Sequence, residues 1–291
     1  MHARSGAIRR IAHCAVLLFL AAATVPTQAA PIDPGNAKYT VALRGLPMEV
    51  FTYRPNCPNP GILVVIHGLE RKAEGYRNVS RGLGNRLCMI VVAPLFDAER
   101  FPSWRFQFGG LVYERRLQPP RDWTGEFIVD LVAWVRAQEG RALPYSMIGH
   151  SAGGQFLSRL AAFTPTEATR IVVSNASSYV FATLDIKAPF GLGGVYQSRA
   201  AEAQLKRYLQ TPVTIFLGQE DVGDEQLNNT PAALAQGAKR YDRGLNAFLT
   251  AQTLAKSRGW PFNWRLVEVP GVGHDTRKMF NSPQALEALA P

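Results

Sequence analysis

Residues 149–154 read Gly-His-Ser-Ala-Gly-Gly, directly after an apolar run that ends in Met147 and Ile148. Gly-x-Ser-x-Gly at a strand-to-helix junction imposes one local shape, a turn so sharp that the Ser151 hydroxyl stands exposed above a sheet edge. A Cβ at Gly149 or Gly153 would collide with the flanking strand and helix, so glycine is required at both.

The rest of the chain alternates in the way that such a turn needs. Tyr39–Arg44 and Met48–Tyr53 alternate around Gly45-Leu46-Pro47 and predict an antiparallel hairpin at one sheet edge. Strand-like runs follow at 62–66, 89–93, 145–149, 171–174, 213–217 and 264–269. Helical patterns separate them: Tyr76, Val79, Leu83 and Leu87; 125–138 with Thr124 as N-cap; a helix opening at Ala152; then 199–209, 237–257 and 276–289. Alternating β and α predicts an α/β domain on a mainly parallel sheet. No internal repeat, low-complexity tract or linker divides it.

Composition is compatible with one well-buried domain: 291 residues, 47% hydrophobic and 19% charged. The N-terminus stands apart. Arg4, Arg9 and Arg10 precede an apolar stretch from Ile11 to Val25, and Thr27-Gln28-Ala29 offers small residues at the −3 and −1 positions. This predicts a signal peptide over 1–29, cleaved after Ala29, with the catalytic domain in 30–291 and export to the periplasm or beyond. The apolar core is shorter than the roughly 20 residues of a spanning helix, so no stable membrane insertion is expected after cleavage. Export would leave Cys57 and Cys88 as an even pair in an oxidising compartment. Each precedes a strand, 62–66 and 89–93, which makes a disulfide geometrically plausible; two buried free thiols are the alternative. Net charge is +10, and loss of 1–29 removes three arginines and no acid, leaving +7. The basic residues are scattered and no nucleic-acid recognition module is visible. Three separated histidines and two cysteines form no metal-ligand cluster, and no cofactor is expected.

Outside the leader only His67, His150 and His274 remain. A serine hydroxyl needs a base, and histidine titrates near neutrality. His67 ends a strand and His150 sits inside the sharp turn, which leaves His274, in Gly271-Val272-Gly273-His274-Asp275, as the base. A third group must orient the imidazole, and for this type of turn the chain order is Ser, acid, His. The acids after strand 213–217 are Glu220, Asp221, Asp224 and Glu225; Gly-x-x-Asp spacing favours Asp221. Backbone N–H groups of Ala152 and Leu69, in His67-Gly68-Leu69, are the expected oxyanion hole.

These elements, in this order over 39–289, resemble the α/β-hydrolase superfamily. The resemblance implies an eight-stranded, mostly parallel sheet with helices on both faces and an N-terminal antiparallel hairpin. Within the superfamily the chain resembles secreted poly(3-hydroxybutyrate) depolymerases and feruloyl esterases. Many of those depolymerases follow the oxyanion His-Gly with Cys, where this chain has Leu69 and Glu70. Two insertions are candidate substrate walls, 97–123 and 175–212. The first contains Trp104, Phe106 and Phe108, the second Tyr179; with His67 they are candidate pocket residues, or else they pack the insertions onto the sheet. The expected activity is exported serine-dependent hydrolysis of small-molecule or polymeric carboxylic esters. Peptide hydrolysis or acyl transfer on the same triad, and a non-catalytic binding scaffold, are the alternatives.

Overall fold

Unbroken apolar runs become the central strands of the sheet, and the alternating segments become its edge. The computed structural model describes His2 and residues 30–291; apart from His2, the predicted leader and its cleavage point at Ala29 lie outside the described residues. The chain opens with β1 (Gly35–Leu43), β2 (Leu46–Arg54), β3 (Gly61–Ile66), α1 (Ala73–Leu87) and β4 (Met89–Pro94). A small hairpin, β5 (Val112–Tyr113) and β6 (Arg116–Leu117), lies within the first insertion. Then come α2 (Gly125–Glu139), β7 (Tyr145–His150), α3 (Ala152–Phe163), β8 (Arg170–Ser174), α4 (Ser198–Gln210) and β9 (Val213–Gly218). The chain ends with α5 (Pro231–Leu234), α6 (Arg240–Arg258), β10 (Arg265–Val269), α7 (Thr276–Asn281) and α8 (Gln284–Leu289).

The main sheet has eight strands in the order β1-β2-β4-β3-β7-β8-β9-β10. β1, β2 and β4 pair antiparallel, and every pairing from β4 through β3 to β10 is parallel. Side chains alternate across it: Ile62, Val64 and Ile66 join one core and Leu63 and Val65 the other. Helices cover both faces, as a parallel sheet requires. The strand order reverses beside β3, which lies between β4 and β7 although β4 precedes β7 in the chain. In open α/β sheets such a switch point opens a crevice at the carboxyl ends of the strands. Here it brings the residues after β3 next to those after β7, with Ile66 in register with Gly149.

Several sequence expectations shift in detail. The hairpin turn is only Arg44-Gly45, both with positive φ (51° and 76°), so Leu46 and Pro47 enter the strand. Paired positive φ values suit the twist of a two-residue hairpin better than a longer loop would. Thr124 does not cap α2, because its Oγ1 donates instead to the Arg105 carbonyl at 2.6 Å. The helix expected from 237 begins at Arg240, after Gly237 at φ 149°. The single helix expected over 276–289 is two, since Pro283 lacks an N–H and drives Ser282 to extended backbone at ψ 153°. Among the described residues no helix is long and apolar enough to cross a membrane.

Cys57 and Cys88 are joined, with Cα atoms 5.9 Å apart. They precede β3 and β4 respectively, so the bridge sits at the amino ends of two parallel strands, opposite the crevice. It closes a sequence separation of 31 residues. A double Cys57→Ser, Cys88→Ser variant is expected to lose about 3–4 kcal/mol of unfolding free energy, measured by urea denaturation against the oxidised parent.

Candidate active site

Ser151 stands between β7 and α3 with φ 57° and ψ −119°, a conformation that side-chain-bearing residues avoid. The surroundings over-determine it. A Cβ at Gly149 would lie 2.5 Å from the Gly153 carbonyl oxygen, and one at Gly153 would lie 2.3 Å from that of Ile66. Helix and strands thus pack backbone on backbone. The Ser151 N–H donates to the Ser174 carbonyl at 3.0 Å, tying the turn to β8.

The loops after β9 and β10 converge on this turn. The Gln219 N–H donates to the Val269 carbonyl (3.1 Å) and the Glu220 N–H to that of Val272 (3.0 Å), so the two loops run together. Asn175, fully buried, joins them. Its Oδ1 accepts from the Gly218 N–H at 2.9 Å and its Nδ2 donates to the Gly273 carbonyl at 3.3 Å. The result is a hydrogen bond of 2.7 Å between His274 Nδ1 and Asp221 Oδ2. Asp221 is 1% exposed and the His274 side chain 26%. An ionised carboxylate only accepts, so Nδ1 donates, and in the neutral ring the lone pair then lies on Nε2.

His274 and Ser151 line one cleft of about 220 Å³, together with Gly68, Leu69, Tyr76 and His150 among others. Among the described residues the hydrogen bonding of His274 is to Asp221 alone, and no direct bond links it to Ser151. General-base contacts commonly tighten only once substrate is bound. Leu69 is on the cleft, and Ala152 opens α3, where a helix's first N–H groups have no intrahelical acceptor.

None of the five candidate pocket side chains lines this cleft. His67 is fully buried; its Nε2 accepts from the Phe96 N–H (3.0 Å) and its Nδ1 donates to the Gly68 carbonyl (2.9 Å). Phe106 is buried between the rings of His67 and Phe156. Phe108 rests on Phe190 beside the Arg159 guanidinium, and Trp104 on Tyr113. Tyr179 is 1% exposed and its hydroxyl accepts from the Ala176 N–H. Phe106 and Tyr179 therefore tie their insertions to the core, whereas Trp104 and Phe108 pack on rings of the insertions themselves. Their apolar area gains more from such packing than from a shallow, wet cleft.

The cleft wall comes instead from residues that the sequence reading did not assign to the site: Glu70, Lys72, Tyr76, Gln226 and Thr276. Tyr76 belongs to the apolar stripe of α1, so its hydroxyl was hidden in a core pattern. The Tyr76 and Thr276 hydroxyls are 3.2 Å apart, and Thr276 Oγ1 lies 3.0 Å from His150 Nδ1. The buried His150 ring sits 4.6 Å from that of His274. Burial, then the neighbouring His274 and Arg240, push the His150 pKa well below the usual imidazole range. Burial likewise pushes His67 down to about 4.

No protein-family model matches the chain, and no curated protein matches it. Solved structures do. The chain is 31% identical to LpqC, a poly(3-hydroxybutyrate) depolymerase from Bordetella parapertussis, with a TM-score of 0.81 over 88% of this chain and 90% of that one. It is 32% identical to poly(aspartic acid) hydrolase-1 from Sphingomonas sp. KT-1, with a TM-score of 0.81 over 88% and 99% of the two chains. FphF, a fluorophosphonate-binding serine hydrolase of Staphylococcus aureus, shares the fold at 15% identity and a TM-score of 0.52, over 88% and 96%.

The two buried histidines carry a pH signature. Their folded pKa values lie below that of an unfolded histidine, about 6.5, so below that pH the unfolded chain binds protons the folded chain refuses. Their contribution is whole above about pH 6.5 and drains away as pH falls toward the folded values. Urea denaturation should show stability dropping by about 1.4 kcal/mol per pH unit per histidine between about pH 6 and about pH 4.5, and His67→Asn should flatten the slope.

Proposed function

Since this chain belongs to the α/β-hydrolase superfamily, we propose that it is an exported serine hydrolase that cleaves carboxylic esters. The observation that carries this reading is the 2.7 Å His274–Asp221 hydrogen bond on the cleft that Ser151 lines. In the proposed reaction the Ser151 oxygen attacks the substrate carbonyl while His274 Nε2 takes its proton. Asp221 keeps the imidazole in the productive tautomer and balances the imidazolium. The N–H groups of Leu69 and Ala152 receive the oxyanion, an effect worth about 10²–10³ in rate per donor. His274 returns the proton to the leaving alcohol, leaving an acyl-enzyme. Water, activated by the same imidazole, attacks the acyl carbon and frees Ser151.

Export is supported by the predicted leader and by the Cys57–Cys88 bridge, a linkage that persists mainly in oxidising compartments. The likeness to LpqC supports an ester, small or polymeric, as substrate. A second reading is cleavage of an amide on the same residues, because another similar chain is a hydrolase of poly(aspartic acid), a polyamide.

The cleft of about 220 Å³ falls below the usual range of ligand pockets and is walled by Glu70, Lys72 and Gln226. It suits a short or polar acyl group. Steady-state assays with p-nitrophenyl esters should therefore favour acetate and butyrate over palmitate by about tenfold or more in kcat/KM; equal rates across the series would contradict the assignment of this cleft.

Ser151→Ala should fold, lose covalent labelling by a fluorophosphonate probe and lose about 10⁴-fold or more in kcat. Labelling that survives the substitution would remove Ser151 as nucleophile.

A further inference from the structure

Asp221 has a second ionic neighbour. We propose that Arg240 is a positioning residue for the hydrolytic reaction: it supplies the buried countercharge of Asp221 and keeps that carboxylate aimed at His274. This rests on the serine-hydrolase reading above. Arg240 is the first residue of α6, and its Nη1 lies 3.6 Å from Asp221 Oδ1, the oxygen that His274 does not use. Both side chains are 1% exposed. Oδ1 has no hydrogen-bond partner among the described residues, so the guanidinium is the charge that accompanies it out of water. The same helix end also holds the Asp221 backbone, whose carbonyl accepts from the Tyr241 N–H at 3.4 Å. Arg240 further donates to the carbonyls of Gly223 (3.4 Å) and Glu225, closing the acid loop around the carboxylate it faces.

Other charged groups near the couple are already committed. The His150 ring, 4.6 Å from His274, is held neutral by burial. Arg243, on the same helix, donates through Nε and Nη1 to the carbonyls of Gly237, Ser177 and Asn228 and forms no ion pair with Asp221, and the Tyr179 phenol is buried. Asp275 caps α7 through the Lys278 N–H. Glu70 pairs with Lys72, and Asp224 with Lys239. Among the described arginines and lysines, Arg240 is the cation paired with Asp221. A cation there opposes the positive charge that the His274–Asp221 couple takes up when His274 accepts the Ser151 proton. Without it, a buried carboxylate faces imidazole alone, so loss of the charge is read in the pH profile of the reaction.

The test compares the full-length protein with Arg240→Gln, Arg240→Met and Arg240→Lys. Fluorophosphonate labelling and kcat/KM for p-nitrophenyl butyrate are followed from about pH 5 to about pH 9, where imidazole titrates, with thermal melts as a folding control. The neutral variants should move the acid limb of the pH profile upward by about one unit or more, while Arg240→Lys leaves it in place. A folded neutral variant with an unmoved limb would overturn the proposal and reduce Arg240 to a packing residue. If neither neutral variant folds, the Lys variant decides alone: an unmoved limb supports the role of charge and a displaced one overturns it. Failure of the parent protein to label would instead dispose of the serine-hydrolase reading on which the proposal stands.

Discussion

Backbone meeting backbone at Gly153 is the contact that the site depends on. Its missing side chain lets α3 start where a Cβ would come within 2.3 Å of the Ile66 carbonyl oxygen. That approach fixes three things at once: the left-handed backbone of Ser151, the start of α3 at Ala152, and the distance between the β3 loop and the serine. None of these is adjustable separately, because close-packed interiors do not deform continuously. Strain at Ser151 is the cost, and the surrounding strands bear it.

Electrostatics at the site divide into two kinds. Asp221 and Arg240 are charged and buried together, each compensating the other in a place where a lone ion would be costly. His67 and His150 are buried and neutral, held so by desolvation. Of His67, His150 and His274, only His274 keeps part of its side chain in solvent, at 26%. The fold thus assigns three imidazoles to two environments, one of which suits proton exchange with a reacting group.

Much of this was legible in the sequence where one residue type has one physical use. Gly-x-Ser-x-Gly located the turn, the unbroken apolar runs located the central strands, and elimination among three histidines led to the partner of Asp221. Legibility failed where one residue type has two uses. Trp104, Phe106, Phe108 and Tyr179 are as well suited to a core as to an acyl pocket, and burial chose the core for Phe106 and Tyr179. Tyr76 sat in a helical stripe that gave no sign of its hydroxyl reaching the cleft. Arg240 and Asn175 carry no motif at all, since their roles arise from loops that meet only in three dimensions.

Asn175 has a consequence for how this scaffold can vary. One amide grips Gly218 on one side and Gly273 on the other, so the acid loop and the base loop share a fixed separation. Adding or deleting a residue in either loop would misalign both, and neither could compensate alone. Tolerance for new length must lie elsewhere, in the stretches between β4 and α2 and between β8 and α4. New substrate preferences on this framework would therefore be gained by remodelling those outer segments around an unaltered reacting centre.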